Sequence, residues 1–120
     1  MQRAANALPD PAFMAARLAS SVKVSALLRR VAAAGGFGAV LAKGDATAGS
    51  IAIVTRSAGE TVLLAPGMAA AGGYAWVQQA AGDAISAWIE RARRHDPDLW
   101  IIELDIPDAA RFVAETLGGD

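Results

Sequence analysis

Chemistry in this chain would have to come from carboxylates, arginines and one histidine. Asp96, Asp98, Glu103 and Asp105 follow His95 closely. Such a group can supply a general acid, a general base or oxygen ligands for a cation. Arg91, Arg93 and Arg94 precede it, and Arg29 and Arg30 occur earlier; guanidinium groups of this kind bind carboxylates and phosphates. Each cluster also has a structural use. Cations in the last turn of a helix favour its negative end, and aspartates flanking a proline accept backbone hydrogen bonds at a turn. Glu103 is different, because a carboxylate well along an apolar strand needs an arginine partner or a shifted pKa once it loses water. Arg94, Arg91 and Arg29 are the candidate partners. The expectation is one charged network of Arg29, Arg94, Asp96, Asp98 and Glu103 at the edge of the sheet, usable as a ligand site.

Other reactive equipment is sparse. The chain has no cysteine and a single histidine, which removes disulfides, thiolate nucleophiles and zinc-thiolate sites and leaves almost nothing for a histidine-based metal site. The run Gly44 to Ser50 has the glycine and serine spacing of a phosphate loop, but it lacks the lysine and leads into a strand, so a hairpin turn is expected there. Gly35-Gly36-Phe37-Gly38 follows a helix instead of opening one, and its glycines are expected to close that helix. No G-x-S-x-G elbow occurs, so a hydrolytic triad is not expected. No cofactor and no metal is implied.

These residues must be positioned by a small set of elements. From Ser20 or Ser21, either a candidate N-cap, Val24, Leu27, Leu28 and Val31 fall at i, i+3, i+4 and i+7, the stripe of an amphipathic helix that stops at Gly35-Gly36. Strand character then appears over Gly38 to Lys43, Ser50 to Arg56 and Thr61 to Ala65, with turn-like links that suggest antiparallel hairpins between neighbours. After a loop from Pro66 to Gly73, alternation from Tyr74 to Gln79 suggests a fourth strand. Asp83 offers a second N-cap, and Ile85, Trp88, Ile89 and Ala92 repeat the buried helical stripe. Leu99 to Ile106 is apolar on both faces at its start, which implies a central strand. Pro107 and Asp108 suit the first turn of a last helix carrying Phe112, Val113 and Leu117, ended by Gly118-Gly119. The fold class expected is α+β in two layers, a mixed, mostly antiparallel sheet of about five strands covered by two or three helices. Trp88 and Trp100 belong to the core on this reading. Trp76, followed by two glutamines, would mark a partner surface if exposed.

At 120 residues and 54% hydrophobic composition the chain suits one folded domain. Residues 1–13, with Pro9 and Pro11 around Asp10, read as a flexible tail ahead of a single domain over 14–120. A formal charge of −1 gives no global field to attract nucleic acid or an anionic membrane. The uncharged stretch from Thr61 to Gly82 is broken by Pro66, glycines and glutamines and makes a poor lipid-facing helix. With no apolar run before Asp10 to serve as a secretory signal, the cytoplasm is the expected location.

Three segments together carry a resemblance. They are Val24-Ser25-Ala26-Leu27-Leu28-Arg29-Arg30; Leu41-Ala42-Lys43-Gly44-Asp45 with Ala48-Gly49; and Arg93-Arg94-His95-Asp96-Pro97-Asp98-Leu99-Trp100 running into Ile101-Ile102-Glu103-Leu104. In these the chain resembles a bacterial family known as domain of unknown function 1491, over about Arg17 to Leu117, with Asp-Pro-Asp-Leu-Trp as the most specific part. The resemblance implies a compact α+β domain and no assigned activity, so it carries over no functional residue. Members tend to begin just before the position of Arg17, which makes Met14 a candidate native start.

The function expected is therefore a small non-enzymatic binding or protein-interaction module, with self-association into a homodimer as one form it would take. The alternative is a small enzyme or ligand-binding protein acting on an anionic metabolite through the arginine and carboxylate network.

Overall fold

The computed structural model describes residues 18–118. The tail over 1–13, the start at Met14 and the closing Gly119 lie outside the described residues. Helix α1 (Ser20–Ala33) buries Val24, Leu27 and Val31, the expected stripe. Its N-cap is Ala19, and neither serine caps it by side chain. The first backbone N–H groups of a helix lack partners within it; here those of Ser20 and Ser21 donate to the carbonyls of Thr47 and Ala46 at 3.1 and 2.9 Å. Ser20 is buried because its hydroxyl donates to the Gly49 carbonyl at 2.6 Å. A loop distant in sequence does the work assigned to a local cap. The helix closes as read, with Gly35 at φ +87°.

Four strands follow: β1 (Phe37–Ala42), β2 (Ile51–Ser57), β3 (Glu60–Met68) and β4 (Tyr74–Ala81). Helix α2 (Ala84–His95), strand β5 (Trp100–Asp105) and helix α3 (Ala109–Leu117) complete the described chain. The sheet order is β1-β5-β2-β3-β4. β2–β3 and β3–β4 are the antiparallel neighbours expected of a meander. The turn Ala58-Gly59 has φ of +53° and +79°, the sign at both central residues that suits a tight hairpin. The expected β1–β2 hairpin does not form. β5 enters between them, antiparallel to β1 and parallel to β2. The physical reason lies in β5 itself, whose Ile101, Ile102 and Leu104 are fully buried. A strand apolar on both faces is best hidden with a neighbour on each side.

β3 also runs past its expected end at Ala65. Pro66 pairs with Trp76 and Gly67 with Ala75. A proline lacks the N–H for a ladder, but β2 pairs with β3 only as far as Leu64, so Pro66 has a free side on which no donor is required.

The α+β arrangement is as expected: the described residues form three helices and a five-stranded mixed sheet, with three of its four pairings antiparallel. α1 and α3 cover the face that carries Ile51, Ile53, Trp100, Ile102 and Leu104. α2 lies over Ala52, Val54, Leu63 and Ile101, with Trp88, Ile89 and Ala92 partly buried against them. α1 and α3 are also tied at their surface. Arg30 donates to Glu115 at 2.9 Å and Thr116 at 2.7 Å, and the Arg30 and Arg111 guanidinium groups lie 5.5 and 5.3 Å from the Phe112 ring centre. Among the described residues no helix is long and apolar enough to cross a membrane.

Candidate interaction surface

The two most recognisable sequence segments meet at one end of the sheet. The Asp45 amide donates to the Asp98 carbonyl at 3.0 Å, and the Trp100 amide to Ser50 at 2.8 Å. The Trp100 indole donates to the Asp45 carbonyl at 2.7 Å. Gly44 and Gly49 are dictated by this crossing, since a Cβ at either would overlap the Asp98 carbonyl oxygen. The same contacts dispose of the phosphate-loop pattern. The Thr47 and Ala48 amides donate to the Asp45 carboxylate at 3.1 and 2.8 Å, and the Gly49 amide to the Asp45 carbonyl at 3.2 Å. Amides that a phosphate would need are already occupied. The segment is a structural link between β1 and β2, not a hairpin turn.

The five residues expected to form a charged network are distributed instead among separate contacts. Glu103, on β5 with its side chain 16% exposed, pairs with Arg56 of neighbouring β2. That Arg56 guanidinium is held above its ordinary pKa, first by the hydrogen bond to Glu103, then by the charge of Glu103, with Asp105 adding to it. Arg94 reaches back to Glu90 at 3.7 Å along α2. The Asp96 carboxylate accepts the Asp98 amide at 3.1 Å across Pro97. Arg29 is exposed on α1, across the sheet from α2 and Arg94. Among the described residues no ion pair joins two of Arg29, Arg94, Asp96, Asp98 and Glu103. The demand of Glu103 for an arginine is met, but by Arg56, which only the parallel β2–β5 register brings near.

Trp76 is half-buried. It packs on the cluster under α1 and α3, and its indole donates to the Gly118 carbonyl at 2.7 Å. Apolar exposure occurs at the paired Met68 and Tyr74 where β3 meets β4, and as a run of three on one strand at β1, where Phe37 is 59%, Val40 42% and Leu41 53% exposed. β1 is a sheet edge. Edge strands expose unpaired N–H and C=O groups and are ordinarily blunted by charge or proline, yet Phe-Gly-Ala-Val-Leu-Ala contains neither. An irregularity between Val40 and Ala42 breaks its register with β5, and the residue it sets apart is Leu41. Phe37 and Leu41 were visible in the sequence as large apolar residues. Nothing in their local pattern marked β1 as an edge, because that depends on where β5 inserts.

Comparison with known proteins gives one consistent family. Residues 18–114 match the family described as protein of unknown function (DUF1491). A crystal structure of a DUF1491 family protein from Caulobacter crescentus is similar at 33% identity and a TM-score of 0.66, covering 79% of this chain and 94% of that one. A structure of such a protein from the same organism, determined by NMR, is similar at 34% identity and a TM-score of 0.64, covering 80% and 92%. A solution structure of a protein from A. tumefaciens shares 36% identity at a TM-score of 0.64, covering 77% and 88%. No curated protein matches the chain.

Proposed function

The chain belongs to the DUF1491 family, and on that premise we propose that it is a small protein-interaction module that forms a homodimer by pairing β1 with β1 of a second copy. The observation that carries this reading is the uncharged β1 edge with Phe37, Val40 and Leu41 exposed. Self-pairing of an edge strand about a two-fold axis uses the same surface on both copies. Because β1 is neutral, no like charges meet along the join. The flanks favour the same arrangement. Lys43 follows the C-terminal end of β1, while Asp105 lies beside Phe37 at its N-terminal end. Antiparallel pairing directs each Lys43 end toward the Asp105 end of the other copy, which is a complementary match.

Analytical ultracentrifugation across a wide concentration range tests the proposal. The native chain is expected to sediment as a dimer, and Leu41→Lys as a monomer. A native chain that stays monomeric at high concentration overturns the homodimer, and a Leu41→Lys dimer as tight as the native one overturns the β1 interface.

A further inference from the structure

The end of α2 holds four basic side chains, Arg91, Arg93, Arg94 and His95, and the structure separates them into two pairs. Arg93 is engaged structurally, donating to the Lys43 carbonyl at 3.3 Å and the Pro97 carbonyl at 3.1 Å. Arg94 is engaged by Glu90. Among the described residues Arg91 and His95 make no ion pair and no side-chain hydrogen bond, and both are exposed. These two stand one helical turn apart, so their side chains rise on the same side of α2. Together with Trp88 and Ala92 they line a cleft of about 210 Å³.

We propose that this cleft binds a small aromatic oxyanion, a single flat ring bearing a carboxylate or phosphate group. Trp88 is half-buried against the core beneath α2, so it offers a fixed aromatic surface against which a ring packs in an offset or edge-on arrangement. Ala92 adds an apolar wall with no bulk. The Arg91 guanidinium supplies the two-pronged donor suited to an oxyanion, and the His95 imidazole a second donor one turn on. The nearest acids do not cancel this charge: Glu90 faces Arg94, and Asp96 accepts the Asp98 amide. The cleft is open to solvent, so the class of occupant is set by the groups that line it, one aromatic side chain and two donors, and not by enclosure. The site lies on α2 and does not depend on the β1 interface.

The test is a titration of the isotope-labelled full chain with benzoate and with phenyl phosphate, followed by backbone and indole N–H resonances. Cyclohexanecarboxylate and inorganic phosphate serve as controls without an aromatic ring. Saturable shifts are expected at the Trp88 indole, Arg91 and His95, stronger for the aromatic anions than for the controls. The tighter of benzoate and phenyl phosphate identifies the charged group. Arg91→Gln is expected to weaken binding roughly tenfold, the range for loss of a charged hydrogen-bond partner, and His95→Gln less; both positions are exposed, and the same spectra report whether each variant is folded. Absence of saturable shifts overturns the proposal. So do shifts centred away from α2, equal binding of inorganic phosphate, or unchanged affinity in Arg91→Gln.

Discussion

The two edges of the sheet are built from opposite materials. β4 completes a meander with β3, from Val62 opposite Ala81 to Met68 opposite Tyr74. Its one large inward residue, Trp76, is tied to the end of α3 through the Gly118 carbonyl. Gln78 and Gln79 meet the water beyond it. β1 is joined to a neighbour far along the chain and leaves Phe37, Val40 and Leu41 exposed with no polar side chain among them. β4 is also uncharged and exposes Tyr74 at its start, but its anchored indole and two amides leave it less bare apolar surface than β1. An edge finished with bare apolar side chains keeps both its hydrophobic surface and its free backbone groups available. If the copies associate through an edge strand, the bare apolar surface of β1 makes it the better candidate of the two.

The largest expected effect tests how β1 is held away from β2. In Gly44→Ala the new methyl overlaps the Asp98 carbonyl oxygen, a backbone atom at the entry to the central strand that cannot move aside. Overpacking of that kind is expected to cost about 3 kcal/mol or more, read as a lower urea midpoint with unchanged slope. A smaller loss is expected at the other edge. Trp76→Ala removes a half-buried indole from the cluster under α1 and α3 together with its bond to Gly118, which should cost about 2 kcal/mol. Sedimentation of that variant is expected to match the native chain, because Trp76 packs inward and lies outside the proposed join. A dimer lost in Trp76→Ala at temperatures where the chain is folded would move the interface to β4.

The difference between the edges is also a difference in legibility. The helical stripes of α1, α2 and α3 and the β2–β3 turn are local patterns, and the chain displays them in order. The central place of β5 was legible for a related reason, since a run apolar on both faces has few other places to go. The identity of its neighbours was not. A pattern of period two shows which residues share a face but not which strand lies alongside. The Arg56–Glu103 pair was hidden for the same reason, because it exists only through the parallel register of β2 and β5. Trp76 illustrates the complementary failure. Alternation placed it on a strand, while its burial depends on where the end of α3 lies.

The local half of the sheet offers a sharper test of this view. Ala58 occupies a left-handed conformation at φ +53° in the β2–β3 turn, which is unfavourable for any side chain with a Cβ. Ala58→Gly relieves that strain at some entropic cost in the unfolded chain, so a net gain of roughly 1 kcal/mol is expected. Thermal unfolding checks it. A destabilised Ala58→Gly would mean that the hairpin is fixed by its strands and not by its turn.

The smallest effect on stability should accompany the largest effect on assembly. Leu41 is 53% exposed on β1 and Tyr74 63% exposed on β4, so a lysine at either replaces a side chain already half in water. Substitutions of that kind ordinarily change monomer stability by no more than about 0.5 kcal/mol, which urea unfolding at low protein concentration would check. Their consequences for association should diverge. In Leu41→Lys each copy would place an ammonium group in the proposed apolar join, where it loses water with no carboxylate opposite it on β1. In Tyr74→Lys the added charge lies at the tip of β4, outside the proposed join, so sedimentation should be unchanged. Equal loss of association in both variants would show that added charge of any placement disperses the copies, and the contrast between the edges would then describe only the monomer. Loss in Leu41→Lys alone ties assembly to β1, for the two substitutions differ in position and hardly at all in kind.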